Sequence, residues 1–524
     1  MNDKLTYRWA ILPIQLRFLI ITLLVLGIFF RFFNLDGKVF WQDEVFTSLR
    51  SSGYSTEEIV KESFDGRLLG IEDLQKYQYL SPEKSLIDTI NALKKAPEHP
   101  PLYYLMVRFW NQLFSHSVTP RALSAFISLL VFPCIYWLCL ELFESPLIGW
   151  IAVILTAVSP IHVLYAQEAR QYSLWTVAVL LSSASLLRAI RIHTKLNWGI
   201  YATTLSLGFY SHLLSTLIAI GHGIYVFAIN RFQLNKTTAA YLLALLTGLI
   251  AFTPWLFVIN SFQTIENRNN WMLTPVLMSN LVKSWGSHLN CIFFDFNLSQ
   301  DHPFTYLILC FILGLTGYSI YFLYNSASFK VCLFLCLLIG LVPIALIIPD
   351  LIWGGMRSVS SRYFIPFFLG IQLSVAYLLS MKIFGIHFLQ QKLWRGIMVL
   401  LISGGLASCI VSSQANSWWI KSISFHNPQI AAIINKATKP LLISNEGGNN
   451  LGNVISLSYL LEPKVKFQLV VEPNIPNLPD GFSDIFVLSP SPTLQQGLEK
   501  KYQAKLTPIE STSEPRLWKL NLTN

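Results

Sequence analysis

Four short stretches of this chain set ionisable side chains among apolar and aromatic ones: VFWQDEVFT at 39–47, PEHPPLYY at 97–104, YAQEARQY at 165–172 and SVSSRYFIP at 358–366. In the first, Asp43 and Glu44 are flanked by Phe40, Trp41, Val45 and Phe46. Partial desolvation raises a carboxyl pKa and makes the group a useful base. In the second, Glu98 and His99 are types that ligate a metal or position a substrate. The third combines Glu168, Arg170 and Tyr172, and the fourth sets Arg362 beside Tyr363. A guanidinium grips a phosphate through two parallel hydrogen bonds.

Each stretch also has a plainer reading. Acidic residues favour the first turn of a helix, here one running from Val45 to Ser52. Tandem prolines mark a helix entry. An arginine at a membrane boundary snorkels. His212, in the turn YSHLLS at 210–215, reads as a capping or packing histidine.

The elements that position these residues are set by composition. The 524-residue chain is 53% hydrophobic and 13% charged, with a mean hydropathy of +0.49; soluble proteins carry about a quarter charged residues. It is expected to be a polytopic helical membrane protein. Its net charge of +10 comes from short Lys/Arg clusters between apolar runs, which excludes a nucleic-acid stripe and reports topology instead. The seven cysteines, all but Cys291 inside apolar segments, read as packing residues with no disulfide framework.

Apolar runs at 16–33, 121–141, 147–165, 172–190, 197–212, 213–229, 238–259, 304–324, 331–349, 363–381 and 396–413 predict roughly eleven spans. The segment 102–114, LYYLMVRFWNQLF, is short and carries Arg108, which predicts a juxtamembrane amphipathic helix. With that choice Lys4, Arg8, Arg17, Arg188, Arg191, Lys195, Arg231, Lys236, Lys330, Lys382, Lys392 and Arg395 share one face, and the topology is N-in, C-out. Glu141 and Glu144 are the misfit on that face. Residues 1–415 then form the membrane domain, with 35–120 as its first outer loop, and 416–524 a small α/β extracytoplasmic domain. In that tail KPLLISN, KVKFQLVV and SDIFVLSP read as strands, and PQIAAIINKA and TLQQGLEKKY as helices.

Taken in order and with this sidedness, FWQDE, EHPPLYY, AQEARQYS and SRYFIP resemble the GT-C fold membrane glycosyltransferases of the protein O-mannosyltransferase and aminoarabinose transferase superfamily. The likeness covers about residues 15 to 415. It implies a polyprenyl-phosphate-linked sugar donor, a lipid, glycan or protein acceptor, and transfer on the extracytoplasmic face. Residue by residue, it implies Asp43 as general base with Glu44 beside it, and Glu168 as the second catalytic acid. Arg170, Tyr172, Arg362, Tyr363, Tyr103 and His99 are implied in substrate binding. Where members hold a divalent metal (Zn, or Mg or Mn), its ligands match Glu98 and His288, with no closed ligand set in the spacing. The compact tail and the absence of a trefoil-sized insertion point to a bacterial cytoplasmic membrane.

The competing reading is a transporter or flippase of lipid-linked substrates. Such proteins place ionisable groups at mid-membrane and show internal repeats, whereas these charges cluster at one rim and no repeat is visible. A non-catalytic scaffold would leave all four motifs unexplained.

Overall fold

Backbone groups in hydrocarbon must pair within their own segment, so apolar runs fold as helices. The computed structural model describes residues 14–114, 119–262, 270–384, 388–509 and 515–522; Lys4 and Arg8 lie outside the described residues. It divides into two compact units. One comprises 1–35, 97–103 and 121–414, the other 36–96, 104–120 and 415–524.

The first unit is helical. Helices occupy Ile14–Phe32, Pro120–Leu129 with Val131–Phe143, Pro146–Ala157 with Pro160–Ala166, Tyr172–Ile192, Lys195–Ser211, Ser215–Ile229, Lys236–Phe262, Pro303–Ser326, Phe329–Trp353, Ile365–Ile383 and Phe388–Gln414. Among the described residues seven are long and apolar enough to cross a membrane, eight if the bent pair counts as one span. The protein is an integral membrane protein. The count falls below the eleven expected because Lys195–Ser211 and Ser215–Ile229 have only 17 and 15 residues, short of the roughly 20 that a bilayer core requires. Ile14–Phe32, at 19 residues, carries Arg17 and Arg31.

The bent pair turns by 64° between Ala157 and Pro160, and a broken helix leaves carbonyls without partners. Arg31, fully buried, donates through Nη1 to Ala157 O (2.9 Å) and through Nη2 to Thr156 O (3.1 Å). The approach requires Gly27, where a Cβ would stand 2.7 Å from Ala157 O. Ser159 Oγ donates to Ile292 O at 2.7 Å. Glu141 accepts from Arg191 Nε and Nη2, both at 2.9 Å, and lies 3.5 Å from Arg188. The acidic misfit is thereby paired with the basic cluster at the end of the Tyr172–Ile192 helix.

The second unit is built on one mixed sheet. Strands β1 (Asp65–Leu69), β2 (Pro440–Asn445), β3 (Lys466–Val470), β4 (Asp484–Leu488), β5 (Ala504–Pro508) and β6 (Leu517–Leu522) lie in the order β1-β3-β2-β4-β6-β5. Strand β2 pairs in parallel with β3 and β4; the other pairings are antiparallel. Side chains alternate across a strand. Leu442 faces a core with Phe467, Leu469 and Phe486, covered by Val45, Leu49, Ile430, Val454 and Ile455. Leu441 and Ile443 face the opposite core with Ile485, Val487, Leu494 and Leu498.

Residues 36–96 thus belong with the tail, a division different from one drawn at residue 415, because β1 completes the edge of β3. The helix Leu102–Phe114 forms as expected of its pattern. Its Arg108 is buried, donating to Ser51 O, Thr89 Oγ1 and Lys84 O at 3.3, 2.9 and 2.6 Å, while Phe109 and Leu113 are exposed.

Candidate active site

In the first unit the helix Pro160–Ala166 ends at Gln167 and the next begins at Tyr172. Gln167 Nε2 donates to Phe30 O and Phe33 O, at 2.8 and 2.9 Å. It receives the open carbonyls at the end of the first helix. Sequence reading sets Glu168 and Arg170 at the rim of the bundle. Both are buried, at 1% and 3% exposure, in a loop that Gln167 ties to protein backbone. The Arg170 guanidinium lies 5.7 Å from the Tyr172 ring centre. Tyr103 joins this loop: its hydroxyl is 2.6 Å from Ser124 Oγ, which donates to Arg170 O at 3.4 Å.

The segment 361–363 reaches the same place. Tyr165 OH is 2.8 Å from Ser361 Oγ, and Glu168 and Arg362 both act electrostatically on that phenol. Arg362 packs over Tyr363 at 5.5 Å. Between the two arginine–tyrosine pairs stands His212, 6.3 Å from the Tyr172 ring and 5.8 Å from that of Tyr363. Three of the four motifs therefore converge within one unit, and the tyrosines of two loops far apart in sequence flank one histidine there. Guanidiniums over aromatic faces are oriented, partly desolvated cations, suited to an anionic oxygen cluster.

The loop that delivers Arg362 is held by Asp350, a residue the motifs miss. Its buried carboxylate accepts from Ser358 N (2.7 Å), Ser358 Oγ (2.8 Å) and Arg357 Nη1 (2.9 Å). Trp285 Nε1 donates to Ser358 Oγ at 2.9 Å. Gly355 takes φ +128° where a Cβ would stand 2.6 Å from Met272 O, so the turn depends on glycine. The available signal was an acid at the end of the apolar run IALIIPD, 344–350.

Glu98 and His288, the candidate metal residues, belong to no group of three possible ligands among the described residues. His288 is buried, with Nε2 3.0 Å from Val359 O and its ring 4.7 Å from that of Phe364. Glu98 lies 3.7 Å from His99, both half-buried. No group of three or more His, Cys, Asp or Glu side chains gathers among the described residues. His288 Nδ1 is buried and meets no hydrogen-bond partner among the described residues.

In the second unit the acids at 43 and 44 diverge. Glu44 occupies the third position of the helix Gln42–Ser51, where its Oε2 accepts from Trp41 N at 3.3 Å, and it lies 3.4 Å from Lys421 Nζ. Both side chains are buried, at 0% and 1% exposure. Trp41 is buried too, with the Lys421 ammonium 5.6 Å from its ring centre. Asp43 is half-buried. Consecutive helical side chains diverge; one acid here holds the fold and its neighbour reaches solvent.

A family model described as dolichyl-phosphate-mannose-protein mannosyltransferase matches residues 98–257. That stretch contains Tyr103, Glu168, Arg170 and His212. ArnT from Cupriavidus metallidurans, crystallised with undecaprenyl phosphate, superposes with a TM-score of 0.51 at 11% identity over 96% of this chain and 97% of that one. The chain resembles the GT-C glycosyltransferases. The apo form of the same ArnT superposes at 0.47 with 10% identity, over 81% and 88% of the two chains. No curated protein matches the sequence. At such identity the ArnT likeness is one of fold. The family match stops short of both Asp43 and Arg362.

Proposed function

We propose that the protein is a membrane glycosyltransferase that moves a sugar from a polyprenyl-phosphate donor to a hydroxyl of a lipid, glycan or protein acceptor. The observation that carries the reading is that Arg170 and Arg362, each over a tyrosine, flank the same histidine, His212, through those tyrosines. Two fixed guanidiniums match a phosphate leaving group, which needs cations and no proton donor. The ArnT structure of like fold holds undecaprenyl phosphate.

In the proposed reaction the acceptor oxygen attacks the anomeric carbon with inversion. Asp43 takes the hydroxyl proton as the new C–O bond forms, and the bond to the phosphate oxygen breaks, leaving its electron pair on polyprenyl phosphate. Arg170 and Arg362 neutralise that charge, and Glu168 orients the cationic cluster from the same loop. Glu44 is assigned to the fold. The orientation is N-in and C-out, with transfer on the extracytoplasmic face of a bacterial cytoplasmic membrane, supported by the Lys/Arg distribution and by the pairing of Glu141 with Arg191.

Membranes containing the protein are expected to transfer label from a radiolabelled polyprenyl-phosphate sugar, and Asp43→Asn is expected to abolish the transfer. Transfer by no member of a panel of such donors would overturn the reading. Full activity in the Asn variant would remove Asp43 as base.

A further inference from the structure

Among the groups around the two arginines, His212 has a geometry that packing alone does not require. It sits in the turn between the helices Lys195–Ser211 and Ser215–Ile229. Its Nδ1 accepts the Leu214 N–H at 3.2 Å, so that nitrogen carries no proton. The ring is then the neutral tautomer, with its hydrogen on Nε2. One face lies on Trp175, 4.2 Å between ring centres and 17° from parallel. Trp175 is itself anchored, its Nε1 donating to Ser215 Oγ at 3.0 Å. The imidazole is therefore locked at one nitrogen and one face. Among the described residues no acceptor takes the Nε2 proton. Arg170 and Arg362 are the charged groups acting on the ring, and Tyr172 and Tyr363 flank it.

The geometry points to His212 as a neutral hydrogen-bond donor, through Nε2–H, to the phosphate of the lipid-linked donor and of the polyprenyl phosphate released. The inference rests on the proposed function, which assigns that phosphate to Arg170 and Arg362. The two cations supply charge, and an oriented neutral N–H supplies direction without adding a third positive charge to a buried site, where it would be repelled. A packing histidine needs its stacked face and its Nδ1 bond; it has no use for an Nε2–H that meets no acceptor among the described residues.

The test measures the affinity of the purified full-length protein for undecaprenyl phosphate in detergent. His212→Phe keeps a flat ring for Trp175 and removes the donor; His212→Gln keeps an N–H and removes the ring. Loss of a hydrogen bond to a charged acceptor predicts about a tenfold weaker affinity for the Phe variant, with the unfolding midpoint held. The Gln variant is expected to stay within about threefold of the parent, because an amide N–H replaces the imidazole one. Between pH 6 and 8 the ratio of parent to Phe-variant affinity is expected to stay flat. A ratio that falls as pH rises through the ordinary histidine range would show an imidazolium and overturn the neutral donor.

Wild-type affinity in His212→Phe, alongside a large loss in Arg362→Ala, would make His212 a packing residue and leave the proposed function standing. Unchanged affinity in both variants would sink the phosphate assignment itself. Should the Phe variant fail to fold, the Gln variant decides: a tenfold loss there, with the fold intact, overturns the proposal.

Discussion

The stretches Trp41–Glu44 and Ala166–Glu168 lie in different units and solve the same problem with opposite chemistry. Each sits at a helix end, where open backbone groups demand a partner. At the start of the helix Gln42–Ser51 the open groups are N–H donors, and the carboxylate of Glu44 answers them. At the end of the helix Ile14–Phe32 the open groups are carbonyls, and the amide of Gln167 answers those. The helix end thus selects which of two adjacent polar residues is consumed by the fold. The neighbour, Asp43 in one case and Glu168 in the other, is not the residue that closes the helix end. The two differ in setting: Asp43 is half-buried, whereas Glu168 is buried.

The largest expected effect tests the neighbours. Asp43→Asn should lower the transfer rate about a thousandfold or more, and Glu168→Gln about a hundredfold, in single-turnover assays with unfolding midpoints unchanged. A greater loss from Glu168→Gln than from Asp43→Asn would move the base to the buried loop. Next comes the capping acid. Glu44→Gln leaves the buried Lys421 ammonium without its carboxylate, a change expected to cost about 3 kcal/mol of stability. Turnover per folded molecule should be kept; if turnover collapses while stability holds, the division of labour between the two acids is reversed.

A smaller loss is expected from Gln167→Ala, about 1–3 kcal/mol, since it opens the Phe30 and Phe33 carbonyls. Gln167→Glu should lose more, as it sets an acceptor against acceptors; equal stability of the two would discard the capping argument.

The smallest effect contrasts the buried Glu44–Lys421 pair with a surface one. Lys519, 2.6 Å from Asp484, holds that carboxyl below its ordinary range, chiefly through their hydrogen bond. A lowered folded-state pKa contributes stability above the ordinary carboxylate range that is lost as pH falls through it. Because the pair is partly exposed, Asp484→Asn should cost less than about 1 kcal/mol at pH 7 and nothing measurable once the carboxyl is protonated in both states. A cost independent of pH would assign the effect to packing.

The sequence was most legible where requirements are local. The run IALIIP and its neighbours must form a helix because hydrocarbon offers the backbone no other partner, and Phe329–Trp353 does so. The apolar runs at Pro440–Asn445 and Asp484–Leu488 stand out as strands for a similar reason, being buried on both faces. Strand β1 was illegible: Asp65–Leu69 is polar, short and mostly exposed, and becomes a strand only by pairing with β3, some four hundred positions later. The burial of Glu168 and Arg170 was not legible, because nothing local announces the 64° bend that precedes them. The 3.0 Å approach of His288 Nε2 to Val359 O was equally illegible, because the two lie 71 positions apart.

By itself the sequence determined the apolar lengths, the capping residues and the four motifs, since these depend on interactions reaching a few residues along the chain. Only the tertiary structure decided which motifs share a unit, that Arg31 repairs a broken helix, and that Asp350 braces the segment leading to Arg362. It alone set His212 on Trp175 and between Tyr172 and Tyr363. Those outcomes depend on closing loops of tens to hundreds of residues, and which closures are favourable is set by the summed packing and hydrogen bonding of the folded chain.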